Sequence, residues 1–93
     1  MKQYILRGRK PVSVGIEDWA VWFAKNLSHR KVRETSRRGV FISTTFTGLD
    51  PKEDGMIYET QVFGGPHNGF TRRYKTWDEA FDGHQQVVEE KLI

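Results

Sequence analysis

The sequence contains no cysteine, only three prolines and no long apolar run. The absence of cysteine excludes disulfide bonds and thiolate metal sites. The longest unbroken apolar stretch, residues 19–24, is six residues long, whereas a membrane-spanning helix needs roughly 18 or more. The first residues, with Lys2 before Gln3 and Tyr4, also lack an apolar stretch of signal-peptide length. We therefore expect a protein that is neither exported nor inserted into a membrane.

A length of 93 residues lies within the usual size of one domain, roughly 50–250 residues, and we predict a single small domain over residues 1–93. Charge is distributed unevenly along it. Residues 1–38 have a net charge of +7, whereas residues 39–93 have a net charge of −4. Such asymmetry is typical of a nucleic-acid surface or of a surface for an acidic protein partner. It is equally compatible with a fold that interleaves the two halves.

Hydrophobic periodicity predicts the secondary structure. Apolar residues recur at helical spacing between Ile16 and Leu27, which predicts a helix over 16–27. Alternating stretches rich in β-branched and aromatic residues predict strands, which are 31–35, 40–47, 56–63 and 70–75. Residues 1–14 hold a short apolar stretch before Pro11, which cannot donate a backbone hydrogen bond, and are predicted as an N-terminal arm or edge strand. Short loops between the strands favour antiparallel pairing.

A second helix is predicted over 76–90. Thr76 followed by Glu79 matches a capping box, in which the hydroxyl accepts from the Glu79 amide and the carboxylate accepts from the Thr76 amide. Gly83 costs this helix about 1 kcal/mol relative to alanine unless another group packs close to it. The pattern as a whole is that of an α+β fold, a three- to four-stranded antiparallel β-meander with two helices packed on one face. The residues expected to be buried are Trp19, Phe23, Ile42, Phe46, Tyr58, Phe81 and Val88.

Strand alternation also predicts which side chains point away from the core. One face of the sheet is then half polar, and its polar members are Ser43, Thr45, Thr47, Glu59, Gln61, Arg73 and Lys75. This face is either a binding surface or an ordinary solvated face with Glu59 and Arg73 as a cross-strand pair.

No residue pattern typical of catalysis or metal binding is present. His29, His67 and His84 are far apart and have no second ligand at helical spacing. The acidic segment 50–55 does not have the spacing of a calcium-binding EF-hand loop. The glycine-rich segment 64–69 lacks the Lys-Ser or Lys-Thr of a phosphate loop, so it predicts a hairpin loop. We therefore expect no catalytic residue, no metal, no cofactor and no enzymatic activity.

Two surfaces are candidates for binding. The first combines strand ends and loop glycines with groups that can hold a carboxylate or phosphate and supply a flat apolar contact; its members are Asp50, Gly64, Gly65, Arg72, Arg73 and Tyr74. The alternative for this patch is that Arg73 pairs with Glu59 and that Tyr74 packs on the core. The second surface is a basic patch suited to phosphate groups, made of Arg30, Lys31, Arg33, Arg37 and Arg38.

Five stretches of the chain form a recognisable series: YILRGRKPVSV, WAVWF, ISTTFTGLD, YETQVFGGP and RRYKTWDEAFDGH. In this order they resemble a family of small proteins encoded by tailed bacteriophages and prophages, and the resemblance extends from about Tyr4 to the last helix. Pro51 is a departure, because family members more often have a histidine after the aspartate. The family has no assigned biochemical activity. The resemblance implies a viral origin and a location in the cytoplasm of the infected host cell.

Taken together, these features predict a non-enzymatic phage accessory protein that binds a host protein, with components of antiviral defence among the candidate partners. Three alternatives stay open at the level of sequence. The protein could be a nucleic-acid-binding module that uses the basic N-terminal half. It could be an oligomeric binder of a small nucleotide signal, built from loops and the polar sheet face. It could also be a minor structural or assembly protein of the virus.

Overall fold

The computed structural model describes residues 1–92, which form seven strands and two helices. In chain order these are β1 (Lys2–Arg7), β2 (Lys10–Val14), α1 (Ile16–Lys25), β3 (Lys31–Arg37), β4 (Val40–Phe46), β5 (Leu49–Asp50), β6 (Tyr58–Phe63), β7 (Thr71–Tyr74) and α2 (Trp77–Lys91). The second half of the chain therefore follows the predicted order of strands and helix closely.

Four strands form an antiparallel meander in the order β3-β4-β6-β7. On the inner strand β4, Ile42 pairs with Thr35 on one side and with Val62 on the other. Burial alternates along β4 and β6, because successive side chains of a strand point to opposite faces. Helix α2 covers the inner face, and Trp22 of α1 packs against Phe46 at one end of that face. The predicted α+β fold is confirmed.

The N-terminal segment forms more structure than the single arm or edge strand that we predict. β1 and β2 make a hairpin, and β5 pairs with the other side of β1, so that a second sheet has the order β2-β1-β5. Pro11 lies on the outer strand of this sheet, opposite Leu6. A proline is tolerated on an edge strand because its missing amide faces solvent. The hairpin places its turn, Gly8–Arg9, beside the start of α2, where Arg9 stacks on Trp77.

The core lies between the inner face of the meander and α2. Four of the residues predicted to be buried are buried: Ile42, Phe46, Tyr58 and Val88. The prediction for Phe81 is wrong, because its side chain is 44% exposed. Helix α2 turns Ala80 and His84 toward the sheet, so Phe81 points aside and lies under the guanidinium of Arg33.

Helix α1 is packed more loosely than its apolar pattern predicts. None of its residues is fully buried, and Trp19 and Phe23 are half-buried. Trp19 donates a hydrogen bond from Nε1 to the carbonyl of Thr47, and the helix otherwise contacts mainly β1. Ile16, the first apolar residue of the helical pattern, is 51% exposed. The reason is that α1 covers the end of the sheet and not its broad face.

One of the two hydrogen bonds of the predicted capping box is formed at the start of α2. The Thr76 hydroxyl accepts from the Glu79 amide at 3.1 Å, as the capping box predicts. The return bond, from the Thr76 amide to the Glu79 carboxylate, is not formed among residues 1–92. Within residues 1–92, the side-chain cap at the start of this helix is therefore the threonine hydroxyl without the return bond.

Candidate functional site

Two members of the first predicted patch have structural roles. Asp50 is buried, and its carboxylate accepts from the amides of Asp54 and Gly55, which closes the loop that follows β5. Tyr74 is buried on the inner face, where its hydroxyl bonds the Thr60 hydroxyl at 2.9 Å. Neither side chain is available to a partner.

The two arginines of that patch point to opposite faces of the sheet, since they are neighbours on β7. Arg72 faces α2 and forms a bidentate ion pair with Glu90, in which both N–O distances are 3.2 Å. This pair raises the pKa of Arg72 and lowers that of Glu90. Arg73 faces outward, lies 3.9 Å from Glu59, and donates to the carbonyl of Leu49 at 2.9 Å. The predicted cross-strand pairing of Glu59 with Arg73 is confirmed by the register.

Gly64 and Gly65 follow β6 at the other end of the sheet, where they approach Gly39 and Val40. Glu59 and Gly64 are separated by five residues of extended chain, about 16 Å. The structure therefore does not bring the six residues of the first patch into one surface.

The basic patch is also divided. Arg30 is half-buried over the ring of Phe23, with its carbon Cζ 3.4 Å from the ring centroid, and burial lowers its pKa. Lys31 pairs with Glu34 at 3.5 Å. Arg33 stacks on Phe81 and donates to Gln85 at 3.3 Å. These three cations are engaged within the fold; in the part of the chain that the structure describes, Arg37 and Arg38 form no hydrogen bond or ion pair through their side chains.

The outer face of the meander is the candidate functional site. Neither helix packs on it, because α2 lies against the inner face and α1 against β1. Phe41 and Phe63 are directly opposite each other on β4 and β6, with ring centroids 6.0 Å apart and planes inclined by 28°. They are 37% and 46% exposed. We call these two phenylalanines, with the exposed Ser36 and Gln61 beside them on neighbouring strands, the open face.

The turn at the edge of the open face holds the exposed cation Arg38, whereas Arg37 is paired with Val40 and projects from the inner face. Arg37 ends β3, and Arg38–Gly39 is the two-residue turn that joins it to β4. Both turn residues have positive φ, 53° for Arg38 and 78° for Gly39, which is the conformation of a type I′ hairpin turn. A left-handed backbone is uncommon for arginine. The turn therefore holds a long cationic side chain at a position that usually belongs to asparagine or glycine.

The open face could have been found from the sequence. Strand alternation assigns Phe41 and Phe63 to the same face as Ser43 and Gln61, but most of the other side chains predicted on that face are polar. The signal is the pair of phenylalanines at equivalent positions on strands that are adjacent in the sheet. The pairing register, which brings the two rings together, became certain only with the structure.

Within residues 1–92, no group of three or more acidic or histidine side chains is arranged to hold a metal ion. No helix in this part of the chain is long and apolar enough to cross a bilayer. The chain matches no family model, no curated protein and no solved structure.

Proposed function

We propose that this chain is a non-enzymatic accessory protein of a tailed bacteriophage that binds an acidic host protein through the open face. The observation that carries the proposal is the exposed pair of Phe41 and Phe63 next to the hairpin turn that holds Arg38, a cation without an ion pair within residues 1–92. The viral origin and the location in the host cytoplasm are supported by the resemblance of its five sequence stretches to the phage family.

The chemistry of the open face fits a protein partner. Interface hot spots typically combine aromatic side chains at the centre with arginine. Two adjacent exposed phenylalanines provide an apolar centre, while Ser36 and Gln61 provide a polar surround. Arg38 adds a positive charge at one edge, and this charge favours a partner whose complementary edge is acidic. Components of antiviral defence are among the host proteins that this proposal covers.

A binding role, rather than catalysis, is supported by the position of the most perturbed titratable group. His84 has a pKa lowered to about 4, and perturbed groups often mark active sites. In this chain, however, the histidine is fully buried beneath α2 and both ring nitrogens are hydrogen-bonded. No substrate can approach it, and its perturbation follows from burial in the core.

Nucleic acid is the weaker candidate for the open face because most of the basic residues are engaged. Within residues 1–92, the members of the predicted basic patch that form no side-chain hydrogen bond or ion pair are Arg37 and Arg38, and Arg37 projects from the inner face. Two phosphate contacts correspond to a salt dependence of binding with a slope of only about −2. Such a contact supplies little of the electrostatic free energy on which nonspecific nucleic-acid binding depends.

The test is affinity capture from host lysate, followed by purification of the captured protein and measurement of its affinity. Phe41→Ser combined with Phe63→Ser should weaken binding at least tenfold, with only a small fall in thermal midpoint from loss of the cross-strand ring pair. Phe81→Ser is the matched control, because Phe81 is equally exposed but lies on α2; it should bind like the original protein. Arg38→Glu should weaken binding of an acidic partner, and the loss of affinity should be larger at low salt than at high salt.

Two results would contradict the proposal. One is a partner whose affinity is unchanged by the double phenylalanine substitution, which would place the interface elsewhere. The other is capture that disappears after nuclease treatment of the lysate, which would favour the nucleic-acid alternative.

A further inference from the structure

A cleft of about 400 Å³ opens at the N-terminus of α2, apart from the open face. The hairpin formed by β1 and β2 supplies one wall, and the end of β7 with the first turn of α2 supplies the other. Its lining residues are Arg9, Pro11, Tyr58, Lys75, Thr76, Trp77 and Asp78. This volume lies within the range of small-molecule sites, roughly 300–1,000 Å³.

The helix end leaves two amides free at this cleft. The first intrahelical bond runs from the Ala80 amide to the Thr76 carbonyl at 3.0 Å, and the Glu79 amide donates to the Thr76 hydroxyl. The amides of Trp77 and Asp78 precede these bonds and have no partner within the helix. Free amides at a helix N-terminus bind anions, because the N–H groups and the helix dipole both favour negative charge.

A buried side chain points to a ligand independently of the helix end. Tyr58 lines the cleft and is 0% exposed, yet its hydroxyl forms no hydrogen bond within residues 1–92. A buried hydroxyl without a partner is costly to keep in a folded protein. By contrast, the other inner-face tyrosine, Tyr74, bonds Thr60. The hydroxyl of Tyr58 can therefore donate a hydrogen bond to a ligand, because no acceptor for it is present within residues 1–92.

Two cations complete the charge of the cleft. The guanidinium of Arg9 stacks on Trp77, with Cζ 4.3 Å from the ring centroid, which leaves its N–H edge free for an anion. Its positive charge acts on the Tyr58 hydroxyl against the larger effect of burial, which raises the pKa of that tyrosine. Lys75 lies beside them at the rim and is exposed. The carboxylate of Asp78, also exposed at the rim, is the one charge that opposes an anion.

We propose that this cleft binds the phosphate group of a nucleotide-sized ligand, with Arg9, Lys75 and the first amides of α2 around the phosphate. Tyr58 is the buried donor at its base, and Pro11 with the part of Trp77 that Arg9 leaves uncovered is the apolar surface against the rest of the ligand. The free amides and cations fit a phosphate oxygen by charge and donor type, and the aromatic surface fits a flat ring. This site does not depend on the proposed function of the open face.

The first experiment is a titration monitored by the backbone amide signals of the protein in NMR spectra. The probes are inorganic phosphate, adenosine monophosphate and adenosine, at concentrations up to about 10 mM. We expect both phosphate compounds to shift the amides of Trp77 and Asp78, with adenosine monophosphate binding at least tenfold more tightly than phosphate. Absence of these shifts would overturn the site. Equal affinity for phosphate and adenosine monophosphate would overturn the assignment to a nucleotide-sized ligand.

Variants then test the individual groups. Arg9→Ala should weaken binding of adenosine monophosphate about tenfold, whereas Arg7→Ala, the matched exposed arginine of the same hairpin, should leave it within twofold. Tyr58→Phe should weaken binding without lowering the thermal midpoint, because the hydroxyl has no hydrogen-bond partner within residues 1–92. Asp78→Asn should strengthen binding, an outcome that misfolding cannot produce. Unchanged affinity in Arg9→Ala, or weaker binding in Asp78→Asn, would contradict the assignment.

Discussion

The ring of His84 is held between Thr44 and Thr35, with Nδ1 2.7 Å from the Thr44 hydroxyl and Nε2 2.8 Å from the Thr35 hydroxyl. The Thr44 hydroxyl also bonds Thr60 at 2.5 Å, and Thr60 in turn bonds Tyr74. A continuous chain of polar side chains thus crosses the inner face beneath α2. It fixes the helix against β3, β4 and β6, because every member of a buried polar chain requires its partner.

Burial of His84 predicts that stability falls in mild acid. Desolvation, with a smaller contribution from the charge of Arg33, lowers the pKa of His84 from 6.5 to about 4, while Glu34 acts in the opposite direction. The unfolded chain therefore binds more protons than the folded one between these two pH values. We expect the stabilising contribution to be complete above pH 6.5, to decline as pH falls toward 4, and to amount to about 3 kcal/mol.

Urea unfolding at a series of pH values measures this contribution, and NMR titration of the His84 ring protons measures the pKa directly. A His84 pKa at or above 6.5 in the folded protein would contradict the prediction. So would a free energy of unfolding that is the same at pH 7 and at pH 5.

Gly83 lies under Tyr74, and this contact predicts an unusual response to alanine. In most helix interiors, replacing glycine with alanine stabilises by about 1 kcal/mol. A β-carbon at position 83 would overlap the ring of Tyr74, and overpacking of a core costs about 1–3 kcal/mol. We therefore expect Gly83→Ala to destabilise the protein in urea unfolding, whereas Gln86→Ala on the exposed side of α2 should have little effect. A stabilised Gly83→Ala variant would mean that the helix and the tyrosine are not in close contact.

Much of the fold can be predicted from sequence because β4, β6 and β7 carry clear alternation and short loops. The hairpin of β1 and β2 is harder to predict from sequence. Pro11 indicates the end of a strand, although a proline is acceptable on an edge strand. Phe81 is misassigned because α2 buries Gly83 and His84, two residue types that do not mark a buried helix face. Ala80, Val87 and Val88 mark the buried side of the helix, and Phe81 lies next to that side without being part of it.

The candidate site is less predictable than the fold. Arg72 and Arg73 are adjacent in sequence, yet Arg72 pairs with Glu90 of α2 on the inner face and Arg73 pairs with Glu59 on the outer face. A patch predicted from residues that are close in sequence therefore combines side chains that point to opposite faces of a strand. Asp50 gives no sequence signal of its role either, since its bonds to the amides of Asp54 and Gly55 depend on the loop conformation.

The N-cap of α2 gives a further prediction about stability. Thr76 accepts the hydrogen bond of a first-turn amide, so Thr76→Ala should lower the free energy of unfolding by about 0.5–2 kcal/mol. Thr76→Ser, which keeps the hydroxyl, should restore most of the loss. Urea unfolding of the three proteins provides the measurement, and equal midpoints for the alanine variant and the original protein would show that the cap does not stabilise the helix.

The turn residue Arg38 gives a prediction in which stability and binding change in opposite directions. Its φ of 53° is tolerated better by asparagine, and Asn-Gly is the preferred pair in a type I′ turn. We expect Arg38→Asn to stabilise the protein by up to about 1 kcal/mol while weakening the capture of an acidic partner. Arg37→Asn is the comparison, because it removes the same charge from a residue whose backbone is extended. Because Arg37 projects from the inner face, opposite Val40, this substitution should weaken capture less than Arg38→Asn does and should bring no gain in stability. A more stable Arg38→Asn variant with undiminished capture would show that the arginine at this turn does not contact the partner, and the open face would then have to bind through its phenylalanines alone.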